Sequence, residues 1–139
     1  MNLNPYLTFN GNCKEAFTFY TEALNGQVVM ENTFAEAPAE MGIEDDDKNK
    51  VMHISLKVGE VMLMGSDTAG QQKEFFNAGN NVAISLNFTS EAEIKSVYEK
   101  FAAKGTVTMA LAPTFWGAIF GMVTDQFGMN WMFNCTVEQ

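Results

Sequence analysis

Apolar and polar residues alternate along Tyr6-Leu7-Thr8-Phe9-Asn10, with Leu7 and Phe9 on one side and Tyr6, Thr8 and Asn10 on the other. A period of two predicts a half-buried strand. Gly11 ends it, and the period changes. Ala16, Phe17, Tyr20, Ala23 and Leu24 recur at helical spacing. Asn12, with Glu15 three residues on, has the form of a capping box. Asn25-Gly26 has the form of a helix stop. Gln27 to Phe34 reads as a second strand. Residues 35–50, AEAPAEMGIEDDDKNK, are a Pro- and acid-rich excursion. Val51 to Val58 and Glu60 to Met64 then read as a hairpin turning at Gly59.

The same order follows again. Val82, Ile84, Leu86 and Phe88 alternate with Ala83, Ser85 and Asn87. Ser90 and Glu93 form a second capping box. Ile94, Val97, Tyr98, Phe101 and Ala102 make a helical stripe that Gly105 closes. Thr106 to Leu111 reads as a strand. Trp116 to Thr124 and Met129 to Thr136 make a last hairpin, turning at Gln126-Phe127-Gly128. Tyr20 matches Tyr98, an offset of about 78 residues. The pattern is β-α-β-β-β, twice. It predicts a single-domain α+β protein, with one module over about 1–66, a linker over about 67–80 and a second module over about 81–139. A sheet with one helix on one face leaves its other face open. Two such sheets side by side can curve into a cup, which would be the natural pocket.

Composition narrows the partners. The chain has 139 residues, 47% hydrophobic and 18% charged, which is a globular composition. Seventeen acids against eight bases give a formal net charge of −9. Nucleic acids and anionic membranes are thereby disfavoured as partners, and neutral or cationic ones favoured. The opening Met1-Asn2-Leu3-Asn4-Pro5 lacks the basic and apolar regions of a secretion signal, and no apolar run reaches the ~20 residues of a membrane helix. Cys13 and Cys135 form no Cys-x-x-Cys and read as small buried thiols in a reducing cytosol, so a cytoplasmic location is expected. Ten methionines are many for this length. Their flexible, polarizable side chains suit irregular cores and adaptable pockets alike.

Residues 115–133, FWGAIFGMVTDQFGMNWMF, concentrate two Trp, four Phe and three Met around a single acid, Asp125. With PYLTFNGNCKEAFTFYTEALNG, HISLKVGEVMLMGSD and ISLNFTSEAEIKSVYEKF, this stretch resembles the vicinal oxygen chelate superfamily. That superfamily includes glyoxalase I, bleomycin-resistance proteins and extradiol dioxygenases. Within it the chain looks most like the PhnB-like proteins. The Trp-Gly…Asp-x-Phe-Gly-x-x-Trp pattern is the most specific part, and the resemblance spans essentially the whole chain. It implies two modules around a cup, and commonly a homodimer. The ubiquinone methyltransferase activity ascribed to members of this family finds no support here, because no strand leads into a Gly-rich, nucleotide-cradling loop.

Metal-dependent members of the superfamily carry four ligands. Two lie on the first strands of the modules, usually His or Gln, and two on the last strands, usually Glu. Here the matching positions fall around Asn4, Pro5 or Tyr6, around Val82 or Ala83, at Leu63 or Met64, and at Met132. None is a His or a carboxylate, the donors a divalent ion wants. No metal and no cofactor are therefore expected.

His53 is the only histidine. It shares a strand face with Ser55 and Lys57, opposite Met52, Ile54 and Leu56. It is either an ordinary strand histidine or a polar anchor and general base in the cup. Asp125, before Gln126-Phe127-Gly128, reads as a turn-former whose carboxylate bonds nearby backbone amides. Trp116, Phe120, Trp131 and Phe133 could be core or cup wall. The expected pocket set is Tyr6, Thr8, His53, Met62, Met64, Trp116, Trp131 and Met132, subject to a register step that would swap faces. Glu44-Asp45-Asp46-Asp47 lacks the spaced oxygens of a calcium loop and reads as a solvated run. No Gly-x-Ser-x-Gly elbow occurs, and neither cysteine has a histidine near it in sequence. Three functions follow. The leading one is metal-independent binding of a small apolar or cationic molecule, by analogy with drug-sequestering bleomycin-resistance proteins. The others are a metal-dependent lyase, isomerase or dioxygenase, and a metal-free enzyme using His53 or Tyr6.

Overall fold

The computed structural model describes residues 1–137. The chain forms two compact units, Met1–Asn77 and Ala78–Gln139. The first runs β1 (Tyr6–Phe9), α1 (Cys13–Ala23), β2 (Gln27–Thr33), β3 (Val51–Val58) and β4 (Val61–Asp67). Its sheet has the order β1-β4-β3-β2, with β1 parallel to β4 and the other pairs antiparallel. The second runs β5 (Ile84–Phe88), α2 (Glu91–Lys104), β6 (Thr106–Pro113), β7 (Ala118–Thr124) and β8 (Asn130–Thr136). Its order is β5-β8-β7-β6, with the same parallel and antiparallel pattern. Each unit is thus the β-α-β-β-β module that the alternating periods predict.

Each core lies between a sheet and its own helix. In the first unit Ala16, Phe17 and Tyr20 of α1 are buried, as are Leu7, Phe9, Ile54, Leu56 and Leu63 on the strands. Phe17 packs edge-on against Phe9 and Tyr20. It crosses β4 at Gly65, where a Cβ would come within 2.6 Å of the Phe17 ring and 2.9 Å of the Leu7 carbonyl oxygen. In the second unit Phe101 of α2 packs on Trp131 and Phe133, with ring centroids 4.9 and 5.4 Å apart.

The helix ends show where local chemistry decides and where it does not. α1 stops as expected. Asn25 takes a left-handed φ of 52°, and the Gly26 N–H reaches back to the Thr21 carbonyl at 3.0 Å, as in a Schellman motif. Ser90 caps α2 by accepting from the Glu93 N–H at 3.2 Å. The expected Asn12 cap on α1 does not form, since the Asn12 side chain makes no capping bond. Asp67 takes that role from the end of β4. Its Oδ1 accepts from the Gly11 and Cys13 N–H groups at 2.9 and 3.0 Å, and its Oδ2 accepts from Val51 N–H at 2.9 Å. A buried carboxylate is a stronger acceptor than an amide. Asp67 reaches the helix start because it is the register partner of Phe9, just before that loop.

The excursion after β2 is built from single 3-10 turns at Phe34–Glu36, Ala39–Met41 and Asp45–Asp47. The acidic run is not wholly solvated as expected. Asp45 and Asp46 are exposed, but Asp47 is only 1% exposed. Its carboxylate meets Lys73 Nζ at 2.7 Å, Lys50 Nζ at 2.9 Å and the Gly70 N–H at 3.2 Å. Lys73 first, then Lys50 and that amide, hold the Asp47 carboxyl well below the usual carboxylate range. A depressed folded-state pKa contributes stability above the unfolded value, and that stability is lost as pH falls through the folded value. Asp47→Asn should therefore melt below the wild type at pH 7. The gap should close as pH falls below about 4, the ordinary carboxylate pKa. Melting curves of both proteins from neutral to acid pH check this; a gap that persists at the acid end contradicts it.

Other boundaries shift modestly. β4 extends through Ser66 to Asp67, residues expected at the linker. β6 extends to Pro113, and β7 starts at Ala118. Phe115 and Trp116 therefore sit in the β6–β7 connection, where Gly117 takes φ 84° and the Ala118 N–H donates to Thr114 Oγ1 at 3.1 Å.

Candidate functional site

The face of each sheet away from its own helix holds the candidate chemistry. In the first unit Met30, Ser55, Met64 and Tyr6 are successive cross-strand partners over β2, β3, β4 and β1. His53 lies two residues before Ser55 and pairs with Asn32. Thr8 lies two residues beyond Tyr6, and Met62 two before Met64. Alternation puts Tyr6, Thr8, His53, Met62 and Met64 on one face. Five expected pocket residues thus come together. Ser55 and Met30 join them.

Three of these side chains are hydrogen-bonded in line. The Tyr6 hydroxyl lies 3.2 Å from His53 Nδ1, and His53 Nε2 lies 2.8 Å from Ser55 Oγ. The Tyr6 and His53 ring centroids are 5.7 Å apart. Tyr6 is 47% exposed and Ser55 only 6%, so the line runs from the surface into the sheet. Both imidazole nitrogens are engaged, which fixes the ring; in a neutral imidazole one of them donates and the other accepts.

In the second unit Met109, Met122, Met132 and Ser85 are successive partners over β6, β7, β8 and β5. Phe120 and Asn134 pair one step along, on the same face. Trp116 approaches Phe120 edge-on at 6.0 Å and is itself 57% exposed; its neighbour Phe115 is 97% exposed. Met132 and Trp116 therefore flank one thioether and aromatic surface. Trp131 does not join it. It takes the opposite, helix-facing side, is 1% exposed, and donates its indole N–H to Asp125 Oδ2 at 2.8 Å. Asp125 is the expected turn-former: its Oδ1 accepts from the Phe127 and Met129 N–H groups, both at 2.9 Å.

Sequence reasoning set Ser55 on the His53 face but left it out of the pocket set, and it missed Met30, Met109 and Met122 as members of these faces. Ser55 carried a usable signal, since it alternates with His53. Met30 and Met109 carried none, because β2 and β6 show no clean alternation and both have register shifts against their partners.

The remaining candidates fall elsewhere. Cys13 and Cys135 are free and buried. Burial first, then the nearby Asp67 carboxylate, pushes the Cys13 thiol far up, away from nucleophilic use. A groove of about 400 Å³ lies between α2 and the β6–β7 end of the second unit, with Leu111, Pro113, Ile119 and Val137 in its wall and Glu91 and Lys95 from the helix. It contains none of the expected pocket residues, and its polar side chains are Glu91, Lys95 and Thr114. Its chemistry is thinner than that of the open faces.

A family model described as "Glyoxalase/Bleomycin resistance protein/Dioxygenase superfamily" matches residues 2–133. The chain is 30% identical to Protein YjdN of Escherichia coli (strain K12), covering all of this chain and 98% of that one. Protein PA1353 from Pseudomonas aeruginosa is 40% identical, with a TM-score of 0.85 over 99% of each chain. A PhnB protein from Bacillus cereus shares the fold at a TM-score of 0.77 and 20% identity, covering 98% of this chain and all of that one.

Of the positions that the resemblance assigns to metal ligands, Tyr6 pairs with Met64 in the first unit, whereas Met132 in the second pairs with Ser85 and not with the expected Val82 or Ala83. Hydroxyls and thioethers do not fit a divalent ion that wants imidazole or carboxylate. Among the described residues no group of three or more His, Cys, Asp or Glu side chains is placed to hold a metal. Among them, too, no helix is long and apolar enough to cross a membrane.

Proposed function

The chain belongs to the Glyoxalase/Bleomycin resistance protein/Dioxygenase superfamily, and from that premise we propose that it binds a small apolar or cationic molecule on a helix-free sheet face. The observation that carries this reading is the row Met109, Met122, Met132, flanked by Phe120 and Trp116, on a face that the unit's own helix leaves open. Thioethers adapt to irregular shapes and contact aromatic rings favourably. Exposed aromatic faces attract cations, and a net charge of −9 adds to that attraction. On the first unit's own face, Tyr6 and His53 offer a polar anchor for a ligand seated there. Drug sequestration in the reducing cytosol fits this chemistry better than metal-dependent isomerisation or oxygenation, because the ligand positions carry the wrong donors. A second copy of the chain is the expected protein partner. The edge strands β2 and β6 expose Val28, Val29, Met30 and Val107, the kind of edge that pairing covers.

The test is a thermal-shift and calorimetric screen of cationic and neutral aromatic compounds. A true ligand at about a hundred times its Kd should stabilise the protein by about 2.7 kcal/mol. Met122→Ala with Met132→Ala should weaken that ligand by about tenfold or more, while leaving the fold intact. No shift with any compound, or affinity indifferent to these methionines, overturns the reading. Plasma mass spectrometry after exposure to Ni²⁺, Zn²⁺, Fe²⁺ and Mn²⁺ tests the rival. A stoichiometric divalent metal would restore the lyase and dioxygenase alternatives.

A further inference from the structure

We propose that Tyr6, His53 and Ser55 form a proton relay that ionises a weakly acidic hydroxyl compound, a phenol or an enol, seated on the helix-free face of the first unit. The proposal rests on that face being a ligand face, and goes beyond it by assigning a reaction and a ligand class.

The geometry gives the relay a direction. Its outer end is the Tyr6 hydroxyl, on a half-exposed residue. Its inner end is the Ser55 hydroxyl, on a buried one. In the Nε2–H tautomer that the relay requires, Ser55 Oγ accepts from His53 Nε2 across 2.8 Å and His53 Nδ1 accepts from the Tyr6 hydroxyl across 3.2 Å. A ligand hydroxyl donating to Tyr6 Oη gives up its proton to that oxygen as the proton of Tyr6 passes to Nδ1. The ligand O–H bond breaks and a new N–H bond forms on His53. The products are a ligand oxyanion and an imidazolium, whose Nε2–H stays on Ser55. No other reactant is needed, and the reverse transfer restores the start. Such a relay is the arrangement in which a general base reaches its substrate through a positioned hydroxyl.

Among the charged groups on this side of the sheet, Lys57 follows His53 and Ser55 on the same face of β3. Glu36 lies beyond β2, where it accepts from Asn32, the cross-strand partner of His53, at 3.2 Å. From β4 and β1 the neighbouring face positions are Met62, Met64, Ser66 and Thr8, all uncharged. Met64 and Met30 offer apolar surface for the ring of a phenol.

His53 is the only histidine, so its ring nitrogens are seen alone in a ¹⁵N spectrum. The probe is 4-nitrophenol, whose anion absorbs visible light, at a pH below its own pKa. The free protein should show His53 as the Nε2–H tautomer. Adding the probe should raise the nitrophenolate band and turn the His53 signals to the imidazolium pattern together. Tyr6→Phe should lower the ionised fraction of bound probe by about tenfold or more, and His53→Asn should abolish it. Ser55 is a positioning residue. Ser55→Ala should keep the probe bound but lose the single tautomer, a readout that a merely structural role would not move. Unchanged melting of Tyr6→Phe guards against misfolding. An Nδ1–H tautomer in the free protein, a probe that binds while His53 stays neutral, or no binding at millimolar probe overturns the relay. In each of those cases the screen of aromatic compounds still decides the binding reading by itself.

Discussion

Asp67→Ala should lower the unfolding free energy by about 4 kcal/mol, the largest loss expected from any polar residue of the first unit. Asp67 is 3% exposed and accepts from three backbone N–H groups, those of Gly11, Cys13 and Val51. Removing a charged acceptor leaves those donors buried without a partner, at about 1–3 kcal/mol each. Partial rehydration brings the sum down to about 4. Asp67→Asn should lose roughly half as much, because its Oδ1 can still serve Gly11 and Cys13 while its amide meets the Val51 donor head-on. Asn12→Ala is the contrast. A capping asparagine ordinarily costs about 1 kcal/mol to remove, but this one makes no side-chain bond, so the change should stay within about 0.5 kcal/mol. Urea unfolding of the three variants gives the order directly, through the midpoint at constant slope. A larger loss at Asn12 than at Asp67 would restore the local capping box.

That contrast marks how far the sequence could be read. The strands, helices and turns were legible because their signals are local. Alternation, helical stripes and the turn at Gly59 act over a few residues, and Asn25-Gly26 and Ser90 end or start helices in place. The family was legible for the same reason, through the Trp-Gly…Asp-x-Phe-Gly-x-x-Trp pattern. Asp67 was not, because it acts on a helix more than fifty residues earlier in the chain. Asp47 was hidden inside a run of like residues, and only the return of Lys73 and Gly70 makes it different from Asp45. Tyr6 and His53 were each candidates, but their contact spans 47 residues and needs the pairing of β1, β4 and β3 before it exists. The faces of β2 and β6 were unreadable, since register shifts break the alternation on which any such reading depends.

Trp131 and Met132 turn that limit into the second large prediction. The two residues are adjacent on β8 and were both expected in the pocket, but a strand sends neighbours to opposite faces. Trp131 packs under Phe101 with its indole N–H on Asp125, while Met132 lies between Met122 and Ser85 on the open face. Trp131→Ala should therefore cost about 4 kcal/mol of stability, the usual loss for an emptied aromatic site. Trp131→Phe, which keeps most of the ring and drops the N–H, should cost about 1–2 kcal/mol by leaving Asp125 Oδ2 short of a donor. Neither should touch ligand affinity directly. Met132→Ala should do the reverse. Half-buried, it should lose about 1 kcal/mol of stability or less, yet weaken a ligand of the open face about tenfold. Unfolding free energy and affinity, measured side by side on Trp131→Phe and Met132→Ala, separate the two faces. Should Trp131→Phe lose affinity and keep its stability while Met132→Ala unfolds, β8 is shifted by one residue against β5 and β7, and the thioether row belongs to the core instead of the ligand.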